Sequence, residues 1–572
     1  MNKKTMIQTL EEIALYLELL GENPFKIQAY RKAANTLEKD DRSLDEMDDL
    51  FELKGIGKST GQVLKDLLET GKSSTLEQLK EEVPSGLVDL LRVPGLGGKR
   101  IARLYKELSI DSLESLYEAC KEQKVSQLSG FGKKTEQNYI VEIERLNERV
   151  DRHPYWRLEK VVHSIEKELE AIEEVIRFSV AGSFRRREET SSDLDFIVAT
   201  NEAKLVTDQL LQAFDVEEVI ASGGTKLSFT IRAHALLDID FRFVKDEEFA
   251  TALHHFTGSK DHNVRMRQIA KARNEKISEY GVEQADGTVR TFETEAAFFN
   301  HFDLPFIPPT IRQDGTEVDR MDQWHRVVQY EDIRGDFHMH TTWSDGAYSI
   351  EEMGEALRKE GYTHAVITDH SHYLQIANGL SPERLRKQIE EVRQVNEKWD
   401  DFELMIGTEM DILPDGTLDF DDDLLQELDF VIASIHRNFD QTEEEIMHRL
   451  RAACENPYVD MIAHPTGRVV GERAHYAIQV DEFLRIAKET DTIVEFNANP
   501  YRFDLAVEAL KKAVENGNKI AINTDAHDIT HFPYMKLGVE HAQKAWVPKE
   551  LVVNTWSLER FKEKIVNKRK DV

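Results

Sequence analysis

The chain has 572 residues, with 107 acidic against 74 basic side chains and a formal net charge of −33. Hydrophobic residues at 40% and charged ones at 32% exclude a disordered acidic chain and, at roughly 100–200 residues per domain, imply several folded domains. Acids interrupt the first apolar stretch, no run reaches the ~18 apolar residues of a membrane span, and the only cysteines are Cys120 and Cys454, so neither a signal peptide, a membrane span, a disulfide framework nor a cysteine zinc site is expected and a reducing cytoplasm is.

Residues 1–150 are amphipathic at helical spacing and carry an internal repeat: LKGIGKSTGQVL (53–64), VPGLGGKRIARL (93–104) and LSGFGKKTEQNY (128–139). The glycine pairs are Gly55 and Gly57, Gly95 and Gly97, and Gly130 and Gly132, with Lys58, Lys99 and Lys133 beside them. Glycine permits a tight turn that leaves backbone N–H groups open, and a helix N-terminus next to a lysine favours an anion. The pattern resembles the helix-hairpin-helix element, which grips DNA backbone phosphate without reading sequence.

After residue 151 the period changes to that of strands. VIRFSV (175–180) stops at Ala181-Gly182-Ser183, DLDFIVAT (193–200) follows, and ALLDIDFRFV (235–244) is a third strand. Side chains two apart on a strand share a face, so Asp193 and Asp195 project together. With Asp240 they would form an oxygen cage for a pair of Mg²⁺ or Mn²⁺ ions, suited to positioning a triphosphate for in-line attack by a 3′ hydroxyl. Gly182 and Ser183 offer a close turn and a hydroxyl to phosphate oxygens, and Arg186 a charge. Further on, Lys260 to Lys276 packs six basic against two acidic residues, a local positive strip on an acidic chain.

AGSFRRREETSSDLDFIV, DIDFRFV and HHFTGSKDHNVRMRQIA resemble the signature segments of family X DNA polymerases, the relatives of polymerase beta. The resemblance implies a helical DNA-binding domain (1–82), helix-hairpin-helix fingers (83–150), a nucleotidyltransferase palm (151–244) and a thumb (245–316). It also implies that Asp193, Asp195 and Asp240 are catalytic and hold two metal ions. Gly182, Ser183 and Arg186 would contact the nucleotide, and Phe256, Gly258 and Asn263 would line its pocket. Three positions depart from the family: Val63 where a lyase lysine would align, His255 in place of a tyrosine near the sugar, and Asp238 where animal members have arginine.

Pro305, Pro308 and Pro309 and a polar stretch mark a linker, 317–332. From residue 336 onward, seven apolar runs alternate with helical stretches: DFHMH, HAVITDH, ELMIGTEMDI, DFVIASIH, VDMIAHP, TIVEFNAN and KIAINTDAH. Polar residues at strand C-termini in this alternation predict a distorted (β/α)7 barrel with its site on one face. His338, His340, Asp345, His370, Glu409, His436, His464, Asp525 and His527 are the candidate ligands. Imidazole and carboxylate without thiol suit Mn²⁺, Zn²⁺ or Fe²⁺, up to three ions, and metal-assisted phosphoester hydrolysis. His364, His372, His448, His475, His531 and His541 are expected at the surface or behind the ligands.

The HxH, TDH, AHP and TDAH series resembles the PHP (polymerase and histidinol phosphatase) domain over residues 333–572. That resemblance implies that His338, His340, Glu409 and Asp525 hold one ion. Glu409 would bridge to a second held by His436 and His464, and Asp345, His370 and His527 would hold a third. Together the modules resemble bacterial family X polymerases with a PHP domain. The implied function is filling of gapped or nicked double-stranded DNA from deoxynucleoside triphosphates in base excision repair, with a metal-dependent 3′-5′ exonuclease and an abasic-site or 3′-end activity, by a monomeric cytoplasmic enzyme. Three other readings stay open: a small-molecule phosphoesterase barrel, a noncatalytic DNA-end binding protein, and a nucleotidyltransferase acting on another acceptor.

Overall fold

The computed structural model describes residues 3–38, 53, 55–93, 95–149 and 152–567. The chain divides into two compact units, Met1–Asp151 with Gln375–Asn378, and Arg152–Leu374 with Gly379–Val572.

The first unit is helical and has two cores. In one, α1 (Lys3–Leu19), α2 (Pro24–Glu38), α3 (Lys58–Thr70) and α4 (Ser74–Glu82) enclose Leu10, Ile13, Tyr30, Val63 and Leu64. In the other, α5 (Ser85–Asp89), α6 (Gly98–Leu108), α7 (Leu113–Lys121) and α8 (Lys133–Arg149) gather around Ile101, Leu104, Leu116 and Tyr139. Each helix buries its apolar stripe and leaves most of its charges in solvent, the buried Glu18 and Glu136 being held by Arg31 and by the Ser126 N–H. Gly98 lets α6 approach α1, because a Cβ there would stand 2.8 Å from Glu18 Oε2.

The second unit begins with β1 (His153–Pro154), β2 (Val175–Val180), β3 (Thr190–Ser191), β4 (Asp193–Thr200), β5 (Val216–Ser222), β6 (Lys226–Arg232) and β7 (Leu236–Val244). Five of them form a sheet in the order β2-β4-β7-β6-β5, with β4 and β7 parallel. Alternation sends Leu194, Phe196, Val198, Ile239 and Phe241 into a core with α9 (Tyr155–Ala171), while α10 (Gly182–Arg185) caps β2 and α11 (Ala203–Ala213) adds Val206 and Leu210. On the opposite face Ile197 and Ala199 pack with α12 (Phe249–Thr257), and Asp193 and Asp195 continue that face, half-buried.

A smaller body follows, built from α13 (Lys260–Ala272), the antiparallel strands β8 (Lys276–Ser278), β9 (Gly281–Glu283) and β10 (Val289–Arg290), and α14 (Glu295–His301). Its core holds Met266, Phe298, Phe299 and Ile311. The buried Glu295 accepts from Arg185 at 2.5 Å and from Arg312 at 2.8 Å, which compensates the burial of charge. Residues 317–332, expected as a linker, form short 3-10 turns packed onto the unit. Val318, Val327 and Val328 are buried, and Glu317 Oε1 lies 2.7 Å from His262 Nδ1.

The remaining strands are β11 (Gly335–Asp336), β12 (His364–Ile367), β13 (Glu403–Asp411), β14 (Phe430–Ser434), β15 (Met461–Ile462), β16 (Ile493–Asn497) and β17 (Ile520–Asn523), parallel and in sequence order. They are the seven apolar runs, buried on both faces as parallel strands covered by helices must be. Beyond the first and last strands the chain pairs again, Met339 with Ala526, and His340 N–H donates to the Ala526 carbonyl at 2.8 Å, so the sheet nearly closes. Capping boxes, Ser349 with Glu352 and Thr442 with Glu445, start two of the covering helices.

One hydrophobic cluster runs without a break from the five-stranded sheet into the barrel. Tyr155 stacks on Phe184 at 4.5 Å and meets Phe503 edge-on at 6.1 Å, and Trp156 stacks on Tyr501 at 4.3 Å. Arg468 of the barrel holds Glu189 with two bonds of 2.7 and 3.0 Å. Among the described residues no helix is long and apolar enough to cross a membrane.

Candidate functional site

The three glycine repeats adopt one local geometry. The N–H between each glycine pair closes a turn onto the carbonyl three residues back, Ile56 to Leu53, Leu96 to Val93 and Phe131 to Leu128, each at 3.0 Å. The first glycine of each pair has positive φ, 139°, 79° and 87° at Gly55, Gly95 and Gly130. A Cβ at Gly57, Gly97 or Gly132 would meet nothing within 4 Å, so the backbone at these helix starts lies open. Lys58, Lys99 and Lys133 are exposed beside it. Val63, at the aligned lyase position, is buried in the core, and the exposed Lys65 stands 3.7 Å from Glu69.

In the five-stranded sheet the parallel register sets Asp193 opposite Asp238 and Asp195 opposite Asp240, four carboxylates on one face. Asp240 receives the Ser228 hydroxyl and lies 2.8 Å from the Lys226 ammonium, and Asp238 accepts from Thr230 at 2.7 Å. Burial first, then the charges of Asp193 and Asp240, push the Asp195 carboxyl up to about 7. Such crowding is the condition that a divalent cation relieves. Gly182, at φ 58°, runs directly beneath: a Cβ there would stand 2.2 Å from Asp195 Oδ2.

Around this face stand the other predicted residues. Ser183 donates to the Ser191 hydroxyl at 2.7 Å, and Arg186 donates to the Thr257 carbonyl at 2.5 Å. Gly258, at φ 72°, ends α12 close to the Arg186 guanidinium, and Arg242 lies over the Phe256 ring at 5.0 Å. Asn263 donates to the His255 carbonyl at 2.7 Å, while its buried Oδ1 has no hydrogen-bond partner.

The nine candidate ligands of the barrel meet at the C-terminal ends of its strands. Glu409 is the hub, within 3.5 Å of His338, His340, His370, His436 and His464. Asp345 lies 3.2 Å from His527 and 3.6 Å from His370, and Asp525 lies 3.3 Å from His340 and 3.5 Å from His338. Four overlapping groups could each hold an ion: His340, Asp345, His370 and His527; His338, His464 and Asp525; His338, His340 and Glu409; and His370, Glu409 and His436. The group of His338, His340 and Glu409 contains three of the four ligands that the PHP resemblance implies for the first ion, and the group of four contains all three implied for the third, Asp345, His370 and His527. Nε2 of His338 and both ring nitrogens of His340 are buried without a hydrogen-bond partner. Burial and then the neighbouring rings of His527 and His370 push His340 down to about 3, which keeps the ring neutral with one nitrogen lone pair free. Burial alone would raise Glu409, but the fields of His436, His338 and His370 hold it well below the carboxylate range. This donor set fits divalent cations. Two of these candidates sit on strained backbone, His464 at φ 27° and Asp525 at φ 52°.

Family models match in the same order along the chain: a helix-hairpin-helix domain (1–73), a tandem of such elements (47–109 and 87–145), the DNA polymerase beta palm (152–224) and thumb (252–313), and the PHP domain (336–529). The DNA polymerase/3′-5′ exonuclease PolX of Bacillus subtilis (strain 168) is 52% identical over 559 residues, 98% of each chain. The chain belongs to the PolX family. Two probable phosphatases, of Thermoanaerobacter sp. (strain X514) and Caldanaerobacter subterraneus, are each 29% identical over 41% of this chain, covering 96% and 92% of theirs. The palm and PHP domains of a PolX chain imply divalent metal use, and its hairpin and thumb domains imply DNA binding.

Sequence reasoning missed the carboxylates that hold the candidate ligands. Glu495 accepts from His338 Nδ1 at 2.7 Å and from the His464 N–H at 2.6 Å, and Asp411 holds His436 Nδ1 at 3.2 Å. Both stand inside runs already recognised, TIVEFNAN and ELMIGTEMDI, where a carboxylate on a fully buried strand was the signal. Lys226 and Ser228 were legible in the alternation of KLSFTIR, once that strand is placed beside DIDF. His364 and His541 depart from expectation: both are buried, His364 against Phe337 and Phe561, and His541 stacked on Phe503 at 3.9 Å.

Proposed function

We propose that this PolX chain is a monomeric cytoplasmic enzyme that fills short gaps in DNA by template-directed nucleotidyl transfer and trims 3′ ends by 3′-5′ exonuclease action of its barrel. The observation that carries the reading is the pairing of a crowded carboxylate face with a nine-ligand cluster in a chain 52% identical to PolX over its length. In this reading Asp193, Asp195 and Asp240 hold two Mg²⁺ or Mn²⁺ ions, and the barrel ligands hold up to three Mn²⁺, Zn²⁺ or Fe²⁺ ions. Bound divalent cations supply activation of the attacking oxygen and neutralisation of phosphate charge.

The chain's own residues do the rest. The hairpin turns offer Gly55, Gly57, Lys58, Gly95, Gly97, Lys99, Gly130, Gly132 and Lys133 to backbone phosphates. Gly182 and Ser183 accept the triphosphate at close approach and Arg186 balances its charge, while Phe256, Gly258 and Asn263 border the base and sugar. Asp240, on the strand beside Asp195, stands ready to take the proton of a primer 3′ hydroxyl. In the barrel, Glu495 and Asp411 fix the tautomers of His338 and His436, so that lone pairs face inward.

A 5′-labelled primer in a one-nucleotide gap tests the reading, with Mn²⁺ and with or without deoxynucleotides. Asp195→Ala is expected to lose extension only, and His340→Ala to lose shortening only. A wild type that extends but never shortens the primer would remove the exonuclease. The probable phosphatases that match the barrel alone favour a second reading, a phosphomonoesterase. Turnover of free phosphomonoesters without turnover of DNA ends would establish it.

A further inference from the structure

Lysine is rarely buried, yet Lys544, the last residue of the barrel helix Tyr534–Lys544, is only 3% exposed. Its ammonium donates to the Arg187 carbonyl at 2.7 Å and lies 3.3 Å from Glu188 Oε1. The same carboxylate oxygen accepts from Gln313 at 3.2 Å and lies 3.7 Å from Nε of Arg186. Arg187, between them, has φ 57°, a left-handed conformation that its surroundings must hold in place. Glu540, one helical turn before Lys544, grips the Arg187 guanidinium at 2.8 Å, and the Tyr155 hydroxyl accepts from it as well.

The segment held in this way is the nucleotide loop. The Glu188 N–H donates to the Ser183 carbonyl at 3.0 Å and the Arg186 N–H to the Gly182 carbonyl at 3.3 Å, so the loop closes on itself. Arg186 is then suspended between the Thr257 carbonyl on one side and Glu188 on the other. An arginine with one long contact to its carboxylate keeps donors to spare for an incoming anion.

We infer that Lys544 is a positioning residue for nucleotide binding at the polymerase site: it fixes Glu188 and the Arg187 turn, and through them sets Arg186 toward the triphosphate. Without the lysine, Glu188 loses its nearest cation and the Arg187 carbonyl its donor, so the turn no longer holds Arg186 toward the nucleotide. The barrel thereby acts on synthesis without touching the substrate. The inference rests on the reading that places Arg186 on the triphosphate.

The test is single-nucleotide gap filling by the full chain, with KM for the deoxynucleotide and kcat measured separately. Lys544→Met is expected to raise KM about tenfold, with kcat within about twofold of wild type and primer shortening unchanged. Glu188→Gln, which preserves shape, is expected to raise KM similarly and decides the matter if Lys544→Met loses both activities through misfolding. Combined with Arg186→Ala, Lys544→Met should add nothing, because the residues act in series. If Arg186→Ala leaves KM unchanged, the reading of Arg186 falls and the inference with it. If Arg186→Ala raises KM while Lys544→Met and Glu188→Gln do not, or if the Lys544 and Arg186 effects multiply, the role of Lys544 alone is overturned.

Discussion

Lys226 and Asp240 form an ion pair of 2.8 Å between neighbouring strands, β6 and β7. A cation thus reaches the third carboxylate from the adjacent strand, while Asp238, two residues before it on its own strand, is itself acidic and is held by Thr230. Against burial and the charges of Asp193 and Asp240, which raise the Asp195 carboxyl, Arg242 and then this lysine lower it.

Asp195 therefore links stability to pH. Its carboxyl lies at about 7 in the folded chain against an ordinary 3.8, so the folded state prefers it protonated. That contribution is fully present below the unfolded value and is lost as pH rises through about 7. Asp195→Asn should stabilise the metal-free protein by about 1–2 kcal/mol at pH 8 and not at pH 4, while abolishing extension. Melting curves in chelator at the two pH values check it, and Lys226→Met should move the acid limb of the extension profile to higher pH.

Gly182 has no room for a side chain. A methyl group there would press on Asp195 at 2.2 Å, at a φ of 58° that disfavours alanine. Gly182→Ala is expected to cut extension by about 100-fold or more, as displacement of a reacting group does, with primer shortening retained. Product lengths from one gapped substrate report both.

Glu495 touches His338 and the His464 backbone rather than the space the ligands enclose. Glu495→Gln is expected to weaken metal binding in the barrel about 10- to 100-fold. Shortening activity should then need more Mn²⁺ and recover at high concentration, whereas Glu409→Gln should not recover. Manganese titrations of shortening, and of the melting temperature, separate the two.

The hairpin lysines predict a salt effect. Removing Lys58, Lys99 or Lys133 singly should weaken DNA binding regardless of sequence and lower the slope of log affinity against log salt by about one for each phosphate that is no longer neutralised. Fluorescence anisotropy across a salt series measures it.

Much of this was legible because the chain repeats its signals. Three glycine pairs and seven apolar runs mark the hairpins and barrel strands, and the alternation in DLDFIVAT and DIDFRFV fixes which carboxylates share a face. Contacts between distant segments were not legible. Nothing near Glu188 in sequence announces Lys544, 356 positions later, and the polar stretch after Pro309 reads as a linker although Glu317 and Val318 are buried there. The carboxylates behind the candidate ligands, Glu495 and Asp411, were equally hidden, since spacing along the chain does not say which imidazole a buried strand carboxylate will face.

The unbroken apolar cluster from Tyr155 and Phe184 to Phe503 has a consequence for how this enzyme fails. Heat or a substitution that unfolds the shared core itself is expected to remove synthesis and trimming together. Thermal damage to that core is thus expected to silence both modules at one temperature, so the two activities should share a single inactivation midpoint.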